Sequence, residues 1–179
     1  MGTTDIVLPE KESNIKVVDD AFMKKVLKPY YEHTTYLKKA IFEIQEENKL
    51  LIKGVFEIGD SCYIEDTGHF NAVEFNICYN QLAYVFMGYC IKNGLLEELK
   101  DFASDDDSVF FEKQLSHFLI TNITSSYRSQ VNAKHFYGEI GVKSISKRSK
   151  CTFVNMYCNF KDDDNGVSKG EVSLAILHP

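Results

Sequence analysis

The sequence lacks several features that would indicate a fibrous, disordered or membrane-spanning protein. Its 179 residues include only three prolines, and no low-complexity segment is present. No apolar run reaches the roughly 18 residues that a membrane-spanning helix needs. The first residues, MGTTDIVLPEKES, lack the basic and apolar regions of a secretory signal. We therefore expect a cytoplasmic protein with no membrane span.

Metal-binding and disulfide patterns are also missing. The five cysteines form no C-x-x-C motif. Their odd number argues against a disulfide framework or a zinc site, so we expect mostly buried thiols. The acidic runs SDDDS and KDDDNG lack the spacing of a calcium loop and are typical of turns. The sequence therefore predicts no metal site and no cofactor held by the protein.

Composition favours one globular domain. The hydrophobic fraction of 44% and the aromatic fraction of 13% are enough for a core, and the net charge is −6. This charge argues against nucleic-acid binding, which needs a basic stripe. We predict a single domain over residues 1–179, in which residues 1–15 form a flexible amino-terminal segment.

The first half of the chain alternates between helix and strand patterns. Residues 19–27 have an acidic start and a following proline, as expected for a short helix. Residues 36–44 and 50–58 have strand patterns, and the EENK sequence between them is a plausible hairpin turn. A long helix is predicted over residues 71–91, and a short one over residues 95–102.

The second half reads as four strands. They are predicted to begin within residues 115–128 and to continue at 136–145, 151–160 and 170–177, with an Asn-Gly turn before the last. The long helix is apolar on nearly every side and must be enclosed. One curved antiparallel sheet wrapped around it meets this need. The predicted class is therefore α+β with a hotdog fold, whose subunits usually pair into homodimers or higher oligomers with continuous sheets.

Hydrogen-bonding side chains occur in this apolar helix. At about 100° per residue, Asn71, Glu74, Cys78 and Gln81 fall within roughly 80° of one another, and Asn76 and Asn80 lie nearly opposite. A structural explanation is available, because Asn71 and Glu74 have the spacing of a capping box. The other amides could bond to carbonyls of the sheet or cross a dimer interface.

A functional explanation uses the same residues. The amino-terminal end of a helix offers free N–H groups and partial positive charge, which can stabilise negative charge on a thioester carbonyl. His69 is suited to proton transfer near neutral pH. Glu74 could orient it, act as a base or bind an ammonium group. Tyr63 and Asn71 can donate hydrogen bonds, and Gly68 permits close approach of the backbone.

The stretch GDSCYIEDTGHFNAVEFNICYNQLAY resembles the signature region of the FcoT-like thioesterase family. The resemblance extends from VLKPY, through SSYR and NAKHF, to GEVSLAIL. It implies a single-domain hotdog fold that acts on long-chain fatty acyl thioesters. By resemblance, Tyr30, Tyr63 and Asn71 match positions of the family's active site, although both tyrosines could instead be packing residues.

Arg128 matches the family's SS…R block and could pair with a carboxylate or with the phosphate of a pantetheine arm, or could be a surface residue. The basic cluster of Lys147, Arg148 and Lys150 could contact the phosphates of coenzyme A or an acidic carrier protein, or be a solvated hairpin tip. We assign as candidate catalytic residues His69, Glu74, Tyr63, Asn71 and Tyr30, and as candidate substrate-binding residues Arg128, Gly68, Gln81 and Asn80.

Two reactions fit this set of residues. Relatives of the family add glycine to an α,β-unsaturated acyl thioester on an acyl carrier protein, and this addition is our leading hypothesis. It requires a base, a cation for the glycine carboxylate and donors for the enolate oxygen. The alternatives are hydrolysis of an acyl thioester carried on coenzyme A or a carrier protein, and a non-catalytic module that binds acyl thioesters.

Overall fold

A computed structural model describes residues 14–65 and 67–179 of the chain. Its strands are β1 (Ile15–Val17), β2 (Leu37–Ile44), β3 (Leu50–Phe56), β4 (Phe118–Tyr127), β5 (Phe136–Lys147), β6 (Cys151–Lys161) and β7 (Val167–Leu177). Its α-helices are α1 (Asp20–Leu27), α2 (Ala72–Lys92) and α3 (Ser108–His117). Short 3-10 turns lie at Glu32–Thr34, Glu46–Asn48 and Glu97–Phe102.

The seven strands form one antiparallel sheet in the order β1-β2-β3-β5-β6-β7-β4. The curved sheet wraps around α2, and this arrangement confirms the predicted hotdog fold. Tyr79, Leu82 and Phe86 of α2 are fully buried against the sheet. The strands β1 and β4 lie at the two edges, so each is hydrogen-bonded to one neighbouring strand among the described residues.

Three elements differ from the sequence prediction. Helix α3 covers the first residues of the segment predicted as a strand, because its apolar side chains pack against α1 and α2: Phe111 contacts Phe22, and Phe110 lies against Gly88. The predicted helix at residues 95–102 is instead a 3-10 turn, Glu97–Phe102. Strand β1 was not predicted, since its three residues are all exposed and have no periodic pattern.

The flexible segment predicted for residues 1–15 lies mostly outside the described residues; residue 15 belongs to β1. All five cysteines are free thiols, and Cys78, Cys90 and Cys158 are buried as expected. No helix among the described residues is long and apolar enough to cross a membrane. Within the same residues, no group of three or more His, Cys, Asp or Glu side chains could hold a metal ion.

The turn between β6 and β7 is built around Asp162. Its Oδ1 accepts hydrogen bonds from the backbone N–H groups of Asp164 and Gly166, at 2.9 and 2.7 Å. Its Oδ2 accepts one from the N–H of Asn132, at 2.6 Å. Asn165 has φ = 67°, the positive value expected for an Asn-Gly turn. One carboxylate therefore fixes both this turn and the segment that follows β4.

Candidate active site at the amino-terminal end of the central helix

Helix α2 begins with a capping box. Asn71 is the N-cap, and its Oδ1 accepts hydrogen bonds from the N–H groups of Val73 and Glu74, at 3.0 and 3.2 Å. Oε2 of Glu74 accepts one from the N–H of Asn71, at 3.2 Å. The structural explanation offered for these two residues is therefore correct. It does not exclude a chemical role, because the cap also fixes the position of the helix end.

A cleft of about 360 Å³ opens at this end of the helix. The residues that line it come from the loop before α2, from the first turn of α2, and from the end of β4 and the segment after it: His69, Phe70, Asn71, Ala72, Tyr127, Ser129 and Gln130. The structure therefore brings together in one cleft two residues that the sequence predicted as catalytic, His69 and Asn71.

The loop that carries His69 is held at both ends by the segment that follows β4. The N–H of Ile58 donates to the carbonyl of Ala133 at 2.9 Å, and the N–H of Phe70 donates to that of Val131 at 3.0 Å. Nζ of Lys134 donates to the carbonyl of Gly59 at 2.5 Å. Since the same segment also supplies Ser129 and Gln130, these bonds fix the two walls of the cleft to each other.

His69 is exposed in the cleft, and its ring is oriented by the backbone. Its Nδ1 lies 3.0 Å from the carbonyl oxygen of Thr67. A carbonyl only accepts hydrogen bonds, so Nδ1 carries the proton and Nε2 is the basic nitrogen in the neutral ring. The hydroxyl of Thr67 donates to the carbonyl of His69 at 3.1 Å and closes a small local turn.

The amide nitrogen of Asn71 has an unused hydrogen-bonding capacity. Its Oδ1 is fixed by two backbone donors, which also settles the orientation of the amide. Nδ2 is buried and has no hydrogen-bond partner among the described residues. A buried donor without a partner costs about 1–3 kcal/mol. Asn71 lines the cleft, and its Nδ2 is covered there by neighbouring atoms.

Glu74 is almost fully buried, with 2% of its surface exposed. Burial raises the pKa of the neighbouring Cys78 thiol well above its usual value, and the Glu74 carboxylate adds to this shift. Within the described residues, the hydrogen bond assigned to Glu74 goes to the cap and not to His69. The structure therefore supports a capping role for Glu74 and gives it no direct contact with His69.

The two candidate tyrosines do not line the cleft. Tyr30 packs against the core, where burial raises the pKa of its hydroxyl and nearby Tyr84 and Cys78 add to the shift. Its hydroxyl is therefore a neutral hydrogen-bond donor at pH 7. Tyr63 lies on the loop before α2 with half of its surface exposed. Their catalytic roles stay predictions that rest on the family resemblance.

The predicted substrate-binding residues occupy different places. Gln81 is buried and bonds to backbone groups at and just before the start of β2: its Oε1 accepts from the N–H groups of Tyr36 and Leu37, and its Nε2 donates to the carbonyl of Thr34. Asn80 donates to Oδ1 of Asn76 at 2.8 Å. Gly68 has φ = 74°, a conformation that favours glycine. Gln81 thus has a structural role that was among the alternatives.

Arg128 is exposed beside the cleft, and its N–H donates to the carbonyl of Val167. Its neighbours Tyr127 and Ser129 both line the cleft, whereas Arg128 does not. The sequence singled out this segment but not the residues in it that line the cleft, and the substrate-binding role of Arg128 stays a prediction. The pairing of Tyr127 with Ser168 of β7 fixes the side of the sheet that Tyr127 faces.

The basic cluster lies at the far end of the sheet. Lys147 ends β5, and Arg148 and Lys150 form the hairpin tip before β6. The cleft adjoins the opposite ends of these strands, about 30 Å away at 3.3 Å per residue. Lys147 is also paired with Asp101, at 2.9 Å. Within one chain, the cluster is therefore not positioned to meet a substrate in the cleft.

Comparison with solved structures agrees with the fold. A mutant thioesterase from Pseudomonas aeruginosa superposes with a TM-score of 0.52 and 8% sequence identity, covering 89% of this chain and 94% of that one. A sigma28-regulated virulence protein from Campylobacter jejuni gives a TM-score of 0.51 and 9% identity, covering 88% and 97% of the two chains. The chain therefore has the architecture of hotdog thioesterases.

Sequence comparison identifies the family. Residues 25–176 match the FcoT-like thioesterase domain. A (2E)-enoyl-ACP glycyltransferase from Streptomyces coeruleorubidus is 35% identical over 167 residues, which cover 90% of this chain and 99% of that protein. One of the same name from Mycobacterium marinum is 31% identical, with 99% of each chain covered. This protein belongs to the FcoT-like thioesterase family.

Proposed function

We propose that this protein is an enzyme that adds glycine to the β-carbon of a (2E)-enoyl thioester carried on an acyl carrier protein. The product is a 3-(carboxymethylamino)acyl thioester. Support comes from the two relatives named enoyl-ACP glycyltransferases, which match this chain over nearly its whole length and theirs. The loop, helix start and strand end that form the cleft all lie within the matched family domain.

The observation that carries the proposal is the unpaired, buried Nδ2 of Asn71, a residue that lines the same cleft as His69. Conjugate addition moves the π electrons of the enoyl group onto the thioester oxygen, which becomes an enolate. A buried donor at the positive end of α2 is suited to stabilise this charge, because it needs no reorganisation during the reaction.

His69 supplies the proton transfers. Its Nε2 removes one proton from the glycine ammonium group, and the freed amine attacks the β-carbon and forms the new C–N bond. The same proton then passes from His69 to the α-carbon of the enolate. The nitrogen loses one proton and the carbon gains one, so the addition needs no oxidant, reductant or water.

The substrate brings its own phosphopantetheine arm, and the reaction requires no cofactor held by the protein. Arg128, exposed at the rim of the cleft, is the candidate cation for the phosphate of this arm or for the glycine carboxylate.

We also infer a homodimer formed through β4. This edge strand is ten residues long and most of its side chains are exposed. Long exposed edges are templates for pairing with another chain. Two β4 strands pairing antiparallel about a twofold axis would join the sheets of two copies and cover these exposed residues.

Thioester hydrolysis is the second candidate. The family domain carries the thioesterase description, and the solved neighbours include a thioesterase. His69 is exposed, so a water molecule could be activated at the same position as the glycine amine. The acyl group would then leave as a free acid whether or not glycine was present.

One incubation separates these possibilities. The purified protein is mixed with crotonyl-carrier protein, with and without glycine, and the carrier is weighed by mass spectrometry. A mass gain equal to glycine supports addition. Free acid formed without glycine supports hydrolysis, and an unchanged thioester that still binds supports a non-catalytic module.

His69→Gln tests the assigned base in the same assay. It should slow the addition by roughly 10²–10⁴-fold. The matched control is His33→Gln, since His33 is an exposed histidine outside the cleft. Equal rates for the two variants would show that His69 is not the base.

A further inference from the structure

Ser129 lines the cleft together with His69, and a serine beside a histidine is the arrangement of many acyl-transfer nucleophiles. The hydroxyl of Ser129 is nevertheless engaged elsewhere. It donates a hydrogen bond to the carbonyl of Asn165 at 2.9 Å and accepts one from the N–H of Val167 at 2.9 Å. Both partners are backbone groups of the chain reversal that joins β6 to β7, which we call the β6–β7 turn (residues 162–167).

His69 is not a partner of this hydroxyl. In the part of the chain that the structure describes, no hydrogen bond joins Ser129 to His69. A serine nucleophile needs a base within about 2.6–3.2 Å to take its proton. The proton of Ser129 instead lies in the hydrogen bond to the carbonyl of Asn165. The contacts therefore indicate a side chain that holds the backbone and does not attack the substrate.

The backbone around Ser129 is bonded to the same turn. The N–H groups of Arg128 and Ser129 both donate to the carbonyl of Val167, at 3.0 and 3.3 Å. Further along the chain, the N–H of Asn132 donates to the carboxylate of Asp162 at 2.6 Å. The segment that forms this wall of the cleft is therefore attached to the β6–β7 turn at both of its ends.

Gly166 lies against the middle of the same segment. A Cβ atom placed on Gly166 would overlap the backbone carbonyl of Gln130 and would lie 2.7 Å from Cα of Val131. These are backbone atoms, which cannot rotate out of the way as a side chain can. A glycine here lets the turn approach the wall closely, and any larger residue would push the two apart.

On its other side, the wall segment is bonded to the loop that carries His69. The carbonyl of Val131 accepts a hydrogen bond from the N–H of Phe70 at 3.0 Å, and Phe70 directly follows His69 in the chain. Val131 and Phe70 are both buried, so neither end of this connection is free to move into solvent. A shift of the wall away from the β6–β7 turn would therefore be transmitted to the backbone beside His69.

We propose that Ser129 is a positioning residue that holds the cleft wall against the β6–β7 turn and so sets the distance across the cleft to His69. Gly166 contributes by leaving room for the wall at the turn. This inference rests on the proposed function for the reaction that is positioned, and it gives Ser129 no covalent intermediate. A misplacement of about 1 Å can slow a reaction by about 10²-fold, so the effect on rate is measurable.

Ser129→Ala removes both hydrogen bonds without adding bulk. In the carrier assay its kcat for glycine addition should fall by roughly 10–100-fold. The pH profile of kcat should keep its shape, because His69 remains the base. Ser129→Thr retains the hydroxyl and should recover most of the lost rate. A threonine variant as slow as the alanine variant would overturn the proposal, and so would a rate for Ser129→Ala equal to that of the parent protein.

Ser126→Ala is the matched control. The Ser126 hydroxyl also donates to a backbone carbonyl of β7, that of Lys169 at 3.4 Å, but Ser126 does not line the cleft. Its rate should stay near that of the parent protein, and an equal loss in both alanine variants would contradict the assignment. Mass spectrometry of the parent protein, quenched during turnover, tests the nucleophile directly. We expect no acyl group on Ser129, and its detection would overturn the proposal.

Amide hydrogen exchange tests the connection without substrate, in the parent protein, Ser129→Ala and Gly166→Ala. Loss of the hydroxyl, or displacement by the added methyl group, should speed exchange of the Phe70 and Asn132 N–H groups by roughly tenfold. Exchange in α1 should not change. Unchanged exchange at both sites in folded protein would contradict the proposal. Faster exchange in a protein that adds no glycine would show that the proposed reaction is wrong and that Ser129 still holds the wall.

Discussion

At the scale of single residues, Asn71 combines two roles in one side chain. Its oxygen caps α2 through two backbone N–H groups, and its nitrogen is a buried donor beside the cleft. A mutation can separate the two roles, because aspartate caps a helix as well as asparagine does but offers no side-chain N–H group.

Asn71→Asp is expected to keep the helix cap and to slow glycine addition by about 10²–10³-fold per folded molecule, the loss typical for one oxyanion donor, while the buried carboxylate oxygen lowers stability. The added negative charge would also oppose the enolate. Thermal melting and initial rates of the carrier assay are the measurements. Asn71→Ala is the comparison, since it removes the cap as well and should cost about 1 kcal/mol of stability.

Gln81 has a structural role, and the substrate-binding role predicted from its position on the polar side of α2 stays a prediction. Its side-chain oxygen accepts from the N–H groups of Tyr36 and Leu37 at the start of β2, each at 2.9 Å. We expect Gln81→Met to lower the free energy of unfolding by at least about 2 kcal/mol, because two buried donors lose their partner.

Urea unfolding measures this loss of stability. The control is Gln45→Met, at an exposed site after β2, for which we expect a change below about 0.5 kcal/mol. The rate per folded molecule of Gln81→Met should stay near that of the parent. A selective loss of activity at unchanged stability would instead support the substrate-binding role.

At the scale of elements, the turn after β6 fixes the segment that forms one wall of the cleft, because Asp162 in this turn accepts a hydrogen bond from the N–H of Asn132. Burial alone would raise the pKa of the Asp162 carboxyl, but hydrogen bonds from the N–H groups of Asn132, Gly166 and Asp164 hold this pKa below its usual value. A carboxyl with a lowered folded-state pKa stabilises the fold above its unfolded value of about 3.9. That stabilisation is lost as pH falls through the folded pKa.

Asp162→Asn should therefore lower stability at pH 7 by about 1.5–3 kcal/mol, the worth of a hydrogen bond to a charged group. The difference from the parent protein should shrink as pH falls below about 4. Thermal melts from pH 7 to pH 3 test this, with the exposed Asp164→Asn as the control in the same turn. A difference independent of pH would show that the carboxylate charge is not what holds the turn.

Element types were predictable where a repeating pattern is long. The apolar helix at residues 71–91 and the strands of the second half follow from periodicity, and the helix starts and ends within one residue of the predicted limits. Helix α3 and strand β1 were not predicted from the sequence. Both are short, and they are stabilised by contacts with α1, α2 and β2 that a local pattern does not contain.

At the scale of the whole molecule, the homodimer that we infer depends on the outer edge of β4, which pairs with no other strand among the described residues. In an antiparallel pair of β4 strands centred on the middle of the strand, Asn122 would lie close to its own counterpart. Asn122→Lys should therefore place like charges opposite each other and shift the protein from dimer to monomer.

Light scattering coupled to size exclusion measures this shift, and Gln45→Lys on the other side of the sheet is the control. A parent protein that is monomeric at micromolar concentration would contradict the inferred pairing. A dimer unaffected by Asn122→Lys would place the interface elsewhere.

The sequence by itself determined the central helix, its cap, the enclosing sheet and the presence of His69 and Asn71 at one site, because these depend on local periodicity, on capping chemistry and on neighbours close in the chain. Only the tertiary structure decided that the end of β4 and the segment after it form the second wall of the cleft. It also decided that Gln81 binds the start of β2, and that the basic cluster lies far from the cleft. These facts depend on strand order and register, which arise from contacts between residues distant in sequence.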